Sequence, residues 1–330
     1  MSCYHPVYAY KSKFVNPETG KAVIKFNPRP DQMDKFEPIV LPCGQCLGCR
    51  IEYSRQWANR LMLEREAHDS AWFCTFTYDD DHVPRSYYPD PETGEAIPSL
   101  TLRKRDFQLL MKRIRRRFPD DHIRFFACGE YGSQTFRPHY HAIIFGLHLD
   151  DLVPYKTVRE GGELYTYYNS PKLQSCWLDS DGNPIGFVVV GEVTWESCAY
   201  TARYVTKKLN RKEHDFYEKH RICPEFSLMS RRPGIARDYY ESHPGVFDSD
   251  YINISTPKGG RKFRPPRYFE KLFEIEDPVR SKEIKEIKKR LALDAQKSKL
   301  SKTSLELDEL LAVEEQNFTD KIKPLRRNLL

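Results

Sequence analysis

The 330-residue sequence contains no apolar run that approaches the ~18 residues needed to span a membrane. Its opening stretch, MSCYHPVYAYKSKF, has no apolar segment of the kind that a signal peptide carries. It also lacks a G-x-x-x-x-G-K-[ST] loop, so it contains no recognisable helicase motif. These absences argue against membrane, secreted and P-loop proteins. We expect a soluble intracellular protein without a membrane partner.

The composition leaves room for a sizeable core, since 39% of the residues are hydrophobic and 13% are aromatic. The length fits one large domain or two smaller ones. The net charge of +6 is modest, so the distribution of basic residues is more informative than their total. The nine cysteines are odd in number. In a reducing compartment they indicate metal ligands or free thiols rather than disulfides.

Hydrophobic patterns predict an α+β protein. The predicted strands cover Trp72–Asp80, Ile123–Gly132, His139–Gly146 and Gly186–Thr194, and the predicted helices cover Ser99–Phe118 and Glu196–Leu209. Because a short loop joins the two strands on either side of Gly132, we expect them to be antiparallel neighbours. The predicted fold is a central antiparallel sheet with helices on one face.

Composition suggests three regions. Residues 1–65 are a cysteine-rich N-terminal region, and residues 66–275 are the central domain. An irregular insertion rich in Tyr, Gly and Asp is expected around residues 155–183 of that domain. Residues 276–330 are rich in Lys, Glu and Leu, which predicts a tail of one or two charged helices.

The segment FRPHYHAIIFG contains His139 and His141 at the start of an apolar run. Residues two apart on a strand share a face, so both imidazoles would point the same way and Tyr140 the other way. That spacing suits a divalent metal. Taken alone, the pair is equally typical of two partly buried histidines that bond to backbone groups. Glu130 ends the preceding strand and could reach both histidines, completing a site with open coordination positions.

A second motif, AYTARYVTKK, contains Tyr200 and Tyr204 four residues apart on a predicted helix, which places them on one face. Lys207 and Lys208 follow. A tyrosine can act as a covalent nucleophile, but with a pKa near 10 it needs a polarised electrophile. A nearby ammonium favours the phenolate or holds a phosphate. By itself, the pair also fits a helix that packs two aromatic residues on a sheet.

Together these segments resemble the HUH endonucleases, specifically the rolling-circle replication initiators of the Microviridae and, among them, of the gokushovirus type. FCTFTY resembles the first motif of that family, RPHYHAIIFG its His-hydrophobic-His motif, and YTARYVTKK its two-tyrosine motif. The resemblance extends from about Trp72 to Leu209. The tyrosine motif follows the histidine motif, as it does in initiators. The family's ferredoxin-like antiparallel sheet agrees with the predicted strand order.

The resemblance implies a nickase that acts on single-stranded and supercoiled origin DNA in the host bacterial cytoplasm. Mg²⁺ or Mn²⁺ would bind Glu130, His139 and His141, with Asp79, Asp80 and Asp81 as other candidates for the carboxylate ligand. One tyrosine would form a 5′-phosphotyrosyl link and free a 3′-hydroxyl, and the second would end the round by rejoining strands. Unwinding and synthesis would then fall to a host helicase and polymerase.

Near the N-terminus, PCGQCLGCR contains Cys43, Cys46 and Cys49, each separated by two residues. C-x-x-C pairs are typical of zinc knuckles, and Cys3 or His5 would supply a fourth ligand. The alternative is a group of free thiols, because a second C-x-x-C pair elsewhere in the chain is missing. We therefore expect a structural Zn²⁺ in this region.

Basic residues are concentrated in LRKRDFQLLMKRIRRRF, which has eight Lys or Arg side chains against the single acid Asp106. A solvated helix face accounts for such a pattern, and so does contact with DNA phosphates. The candidate DNA-binding residues are Arg103, Lys104, Arg113, Arg116 and Arg137. The segments LMSRRPGIARDYY and PKGGRKFRPPRYF combine basic and aromatic residues, which suits single-stranded DNA.

Two other functions compete with a nickase. A nucleotide hydrolase of the histidine-triad type would need a histidine at position 143, where the chain has Ile143. A non-catalytic, zinc-containing DNA-binding protein remains as the alternative, with a fortuitous histidine pair. It predicts DNA binding that needs no catalytic metal and leaves no covalent adduct.

Overall fold

The structure is a computed structural model and describes residues 3–17, 22–132, 134–160, 162–203, 211–256 and 259–322. The chain divides into a terminal unit, made of residues 1–52 and 283–330, and a central unit, made of residues 53–282. Across the described ranges, no helix combines the length and the apolar character that crossing a membrane requires.

Most of the described chain lies in regular elements. The strands are β1 (Val7–Val15), β2 (Ala22–Lys25), β3 (Phe36–Leu41), β4 (Ala71–Tyr78), β5 (Arg85–Pro89), β6 (Ala96–Leu100), β7 (Arg124–Tyr131), β8 (Pro138–Phe145), β9 (Val153–Glu160), β10 (Glu163–Asn169), β11 (Gly186–Glu192), β12 (Phe226–Met229), β13 (Ile252–Thr256) and β14 (Gly259–Phe263). The helices are α1 (Leu47–Glu66), α2 (Lys104–Arg117), α3 (Pro171–Gln174), α4 (Trp195–Arg203), α5 (Arg211–Lys219), α6 (Arg237–Ser242), α7 (Arg267–Glu276), α8 (Pro278–Leu300) and α9 (Leu307–Ile322), and a 3₁₀ helix covers Pro30–Lys35.

The terminal unit contains a three-stranded antiparallel sheet in the order β2-β1-β3. On β1, Ala9 is buried while Tyr8 is 61% exposed, so the sheet has one covered and one open face. The sequence patterns did not predict these strands, because lysines interrupt their apolar alternation. The helices α8 and α9 match the predicted charged helices after Asp277.

The central unit is built on a seven-stranded sheet in the order β12-β7-β8-β4-β11-β10-β9, in which all neighbouring strands are antiparallel. The predicted α+β class with a central antiparallel sheet is therefore confirmed. Strand β8 lies near the middle, and its last six residues are buried. Its neighbours are β7 and β4, the strands that frame the histidine motif.

Helices cover both faces of this sheet, so the prediction of helices on one face was wrong. Alternate residues of β8 enter two different cores: Ala142 and Ile144 pack with α2, whereas Ile143 and Phe145 pack with α1, α4, α6 and α7. Strands that are apolar on both faces must be covered on both sides. The unbroken apolar run after His141 is the sequence signal for this arrangement.

Two other predictions need correction. The helix expected from Ser99 begins at Lys104, because residues 96–100 form β6 and pair with β5. The segment expected to be irregular around residues 155–183 contains the β9–β10 hairpin, which extends the sheet, and the short helix α3. The alternating β-branched and tyrosine residues on both sides of a Gly-Gly turn were a hairpin signal.

Candidate metal and tyrosine site

The register of three strands brings the candidate ligands together. On one side of β8, Glu130 of β7 lies directly opposite His139. On the other side, Thr75 of β4 lies opposite His141. Directly opposed residues point to the same face of a sheet. The carboxylate and both imidazoles therefore share the face that α1 and α4 cover.

The three side chains converge on a single oxygen atom. Glu130 Oε1 lies 2.9 Å from His139 Nε2 and 2.8 Å from His141 Nε2. One ligand atom from each residue lies within 4.8 Å of the others. Glu130 is 1% exposed and His141 is 7% exposed. Two imidazole nitrogens and one carboxylate suit Mn²⁺ or Mg²⁺ and leave coordination positions open.

The outer nitrogens of the two rings set the direction of the inner ones. His139 Nδ1 lies 3.1 Å from the Arg137 carbonyl oxygen, which can only accept, so Nδ1 carries the proton. In a neutral His139 ring, Nε2 is then an acceptor that faces a carboxylate oxygen. Two acceptors at this distance repel each other unless a cation or a proton lies between them. The donor set therefore fits a metal ion.

A threonine orients the second imidazole. Thr75 Oγ1 lies 3.0 Å from His141 Nδ1, which leaves Nε2 directed at Glu130. The Phe73 ring stacks on the imidazole of His141 with a centroid separation of 5.4 Å. Partners of this kind fix the orientation of metal-binding histidines. Sequence reasoning missed this role of Thr75, because only the strand register places it beside His141.

The pKa shifts favour the protonation states that a metal requires. Burial raises the pKa of Glu130, but hydrogen bonds with His139 and His141 outweigh burial, so the pKa is lowered overall. Burial lowers the pKa of His141, and the nearby Glu130 carboxylate only partly offsets this. At neutral pH the carboxylate is therefore ionised and His141 is neutral. Metal ligands must be in these forms.

Tyr140 points to the opposite face, as the strand period predicts. It is fully buried, and its hydroxyl donates to the Arg103 carbonyl oxygen at 2.8 Å. The Tyr78 hydroxyl lies 2.7 Å from the Tyr140 hydroxyl. Tyr140 therefore belongs to the core next to α2 and has no direct part in the ligand cluster.

Helix α4 places the first candidate nucleophile against the cluster. The Tyr200 hydroxyl donates to Glu130 Oε1 at 3.4 Å, and its ring meets the His141 ring edge-on at 5.1 Å between centroids. The guanidinium of Arg203 lies 5.1 Å from the centre of the Tyr200 ring. Sequence reasoning also missed Arg203, although its i+3 spacing from Tyr200 was visible. Tyr204, Lys207 and Lys208 lie outside the described residues.

The three aspartates that follow β4 have other partners or positions. Asp79 Oδ1 accepts from the backbone N–H of His82 at 2.9 Å, and Asp80 pairs with Arg137 at 2.5 Å. Asp81 is exposed. Among the described residues, Glu130 is the carboxylate that groups with both histidines.

The candidate DNA-binding residues occupy different surroundings. Arg113 donates to the carbonyl oxygens of Leu178 and Asp179, whereas Arg103, Lys104 and Arg116 are exposed. The helix that carries Arg113 and Arg116 packs on the sheet face opposite the ligand cluster. Arg137 immediately precedes β8, at the end of the strand that carries the histidines. Contact of these residues with DNA remains a prediction.

The terminal unit contains a second group of metal-binding side chains. The sulfur atoms of Cys3, Cys43, Cys46 and Cys49 all lie within 4.8 Å of one another. Cys3 completes the group, whereas His5 is exposed and pairs with Glu315 at 2.6 Å. Four thiolates at this spacing suit a closed, tetrahedral zinc site.

Backbone amides prepare one of these thiols for metal binding. The N–H groups of Gln45 and Cys46 donate to Cys43 Sγ at 3.4 and 3.2 Å. Burial raises the pKa of the Cys43 thiol, but these hydrogen bonds outweigh burial and lower it to about 7. Burial raises the pKa of Cys49. The loop thus favours a thiolate at Cys43, which is the metal-binding form.

Comparisons with known proteins agree with the position of these motifs. Residues 71–209, from β4 past the end of α4, match the model of a family described as replication-associated protein ORF2. The replication-associated protein ORF2 of Spiroplasma virus 4 is 31% identical over 293 residues, which cover 88% of this chain and 85% of that protein. The replication-associated protein VP4 of Bdellovibrio phage phiMH2K is 28% identical over 279 residues, or 76% of each chain.

A third relative shares part of its length with this chain. The replication-associated protein ORF4 of Chlamydia phage 1 is 32% identical over 186 residues, which cover 54% of this chain and 40% of that protein. No solved structure matches the chain. The match to the Spiroplasma virus protein extends over both units. The chain therefore belongs to the Microviridae-type family of rolling-circle replication initiators.

Proposed function

We propose that this chain is a site-specific DNA endonuclease and strand transferase that nicks a phage origin and rejoins strands at the end of a replication round. The observation that carries the proposal is the position of Tyr200. Its hydroxyl lies 3.4 Å from the same Glu130 oxygen that both imidazoles approach. A nucleophile beside an open metal-ligand cluster is the arrangement that attack on a phosphodiester requires.

Glu130, His139 and His141 would hold the metal, and their donor set favours Mg²⁺ or Mn²⁺. The bound cation would neutralise charge on the phosphate oxygens and so make phosphorus more electrophilic. The residues around the cluster keep its ligands in place. Thr75 and the Arg137 carbonyl orient the imidazoles, and burial keeps His141 neutral.

Tyr200 is the proposed attacking group. Its phenol oxygen forms a bond to phosphorus, and the bond from phosphorus to the 3′-oxygen breaks. The phenol loses its proton as the leaving 3′-oxygen gains one, so protons balance over the step. The product is a 5′-phosphotyrosyl link and a free 3′-hydroxyl that can prime synthesis. Arg203, beside the Tyr200 ring, would favour the phenolate form.

The remaining residues of the tyrosine motif would complete a cycle. Tyr204 would attack the regenerated origin, and the released 3′-hydroxyl would close the circle. Lys207 and Lys208 would hold phosphate or favour the phenolate. We also propose that Zn²⁺ binds Cys3, Cys43, Cys46 and Cys49 in a structural role. Host helicase and polymerase would act with this chain in the bacterial cytoplasm.

The test is formation of a covalent adduct. The full chain is incubated with Mn²⁺ and a labelled single-stranded origin oligonucleotide, and an SDS-resistant protein–DNA adduct that EDTA abolishes is expected. Single variants Tyr200→Phe and Tyr204→Phe should retain some nicking, and the double variant should lose it. Tyr155→Phe, at a tyrosine 60% exposed outside the site, is the matched control. Full cleavage by the double variant would rule out the tyrosine mechanism.

A second outcome separates the nickase from a non-catalytic binding protein. If origin DNA binds equally well with and without Mn²⁺ and no adduct forms under any metal condition, the chain binds DNA without cutting it. A mobility-shift measurement on the same oligonucleotide, run beside the adduct assay, provides this comparison.

A further inference from the structure

The segment from Tyr251 to Phe269 is basic and contains no Asp or Glu. Its cationic residues are Lys258, Arg261, Lys262, Arg264 and Arg267. Strands β13 and β14 form a two-stranded antiparallel sheet within it. We call β13, β14 and the flanking Tyr251 and Arg264 the basic hairpin. A positive segment with no acidic residue is suited to a polyanion.

The basic hairpin is anchored on the central unit by its apolar side chains. Ile252, Ile254 and Phe263 are each less than 9% exposed and pack in the same core as α4. Ile252 pairs with Phe263, and Asn253 pairs with Lys262. Because alternate residues of a strand face opposite sides, this anchoring turns Asn253 and Lys262 outward. The charged face is therefore fixed by buried neighbours.

The inner end of the basic hairpin contacts the helix that carries the nucleophile. The guanidinium of Arg261 lies 3.7 Å from the centre of the Trp195 ring and 3.8 Å from Glu196 Oε1. These two residues begin α4, and Tyr200 follows five residues after Trp195. At ~1.5 Å per residue, roughly 7.5 Å of helix separates Trp195 from Tyr200. That length spans about two phosphates of one strand of duplex DNA.

The outer cations are held in place by an aromatic ring. Lys262 Nζ lies 4.2 Å from the centre of the Tyr251 ring, and the Arg264 guanidinium lies 5.9 Å from it. Both cations are on exposed residues. A side chain that is already ordered loses less conformational entropy when it binds a phosphate. The ring therefore presents two positive charges at a fixed position.

We propose that the basic hairpin binds the phosphodiester backbone of the DNA strand next to the cut, independently of base sequence. This inference rests on the proposed function, because it names the surface that would hold DNA beside Tyr200. Lys262 and Arg264 supply the phosphate contacts. Arg261, packed on Trp195, connects the hairpin to α4.

The test compares two variants that each remove two positive charges. Lys262→Ala/Arg264→Ala changes the basic hairpin, and Lys282→Ala/Lys289→Ala removes two exposed lysines of α8. Affinity for a single-stranded and for a duplex oligonucleotide is measured in EDTA over a range of salt concentrations. EDTA makes the measurement independent of cleavage. Circular dichroism of each variant verifies its folding.

The hairpin variant should bind DNA roughly tenfold more weakly at ~0.1 M salt, and the α8 variant should match the unmodified chain. Loss of two phosphate contacts should reduce the slope of log affinity against log salt by ~1.4 for single-stranded DNA, or by ~1.8 for duplex DNA. The strand form whose slope falls identifies the bound DNA. The charge-preserving variant Lys262→Arg/Arg264→Lys should retain affinity.

Unchanged affinity and slope in the hairpin variant, for both forms of DNA, would overturn the inference. Loss of affinity in the charge-preserving variant would also overturn it, because the effect would then come from packing. A failure of the proposed nicking gives a different result. In that case the unmodified chain forms no adduct, while the difference in DNA binding between the hairpin and α8 variants remains.

Discussion

The two ligand clusters of this chain differ in donor type and in how the fold assembles them. The cysteine cluster joins Cys3 to a loop some forty residues away, and its four thiols supply a complete tetrahedral set. The Glu130–His139–His141 cluster has three N and O donors on adjacent strands of a hydrogen-bonded sheet. Four sulfur ligands close a metal site and favour a structural role. Three harder ligands leave room for a substrate.

The largest difference should appear when one ligand of the open cluster is removed. His141→Ala should reduce adduct formation more than ~100-fold, because a buried imidazole that faces Glu130 is lost. Zinc content should not change. His148→Ala, at a histidine paired with Asp121 away from the site, should behave like the unmodified chain. Adduct formation that survives His141→Ala would show that catalysis does not use this cluster.

Removing a cysteine should have the opposite consequence. Cys46→Ser should abolish bound zinc and make the terminal unit susceptible to proteolysis, since zinc binding and folding are coupled in such sites. Adduct formation should change less than ~10-fold, because the ligand cluster and Tyr200 lie in the central unit. Zinc analysis and limited proteolysis measure the effect, with Cys223→Ser as the control. Retention of zinc by Cys46→Ser would contradict the four-cysteine assignment.

Metal affinity at the two clusters should depend differently on pH. Burial raises the pKa of Cys3 and of Cys49, so both thiols are protonated in the metal-free protein at neutral pH. Zinc must displace at least these two protons, and its affinity should rise by ~100-fold per pH unit between about pH 6 and 8.

The open cluster has already lost the corresponding protons. The pKa values of Glu130 and His141 are both lowered, so neither has a proton to release over this range. Mn²⁺ affinity should therefore vary far less with pH than zinc affinity. Titrations at several pH values measure both slopes, and equal slopes would contradict the contrast.

The smallest effect concerns a residue that touches only a ligand. Thr75→Val removes the hydroxyl beside His141 Nδ1 and should weaken Mn²⁺ binding about tenfold. Thr77→Val is the matched control, because Thr77 lies on the same strand and bonds to the Phe187 carbonyl instead. Calorimetry of the two variants makes the comparison. Equal affinities would show that Thr75 does not position the imidazole.

Local sequence pattern was sufficient for much of the central sheet. A period of two predicted that His139 and His141 share a face and that Tyr140 points away, and the structure shows this. The strand before the loop at Gly132 also pairs with β8 as expected. These features depend on residues close together in the chain, where alternation and short loops leave few alternatives.

Features that depend on distant contacts were missed or wrong. Helices cover two faces of the sheet, because the α1 and α4 residues packed against Ile143 and Phe145 come from remote parts of the chain. The β9–β10 hairpin was taken for an irregular insertion, since its exposed strands lack a strong apolar alternation. Thr75 acquires its partner only through the register between β4 and β8.

The sequence by itself determined which donors are available and how they are spaced: two histidines on one strand, three cysteines at two-residue intervals, and tyrosines on a helix. Only the tertiary structure decided that Glu130, and not an aspartate after β4, faces both imidazoles. It also decided that Cys3 completes the cysteine group. Strand register and loop closure bring together residues that no local period relates, and they follow from packing of the whole unit.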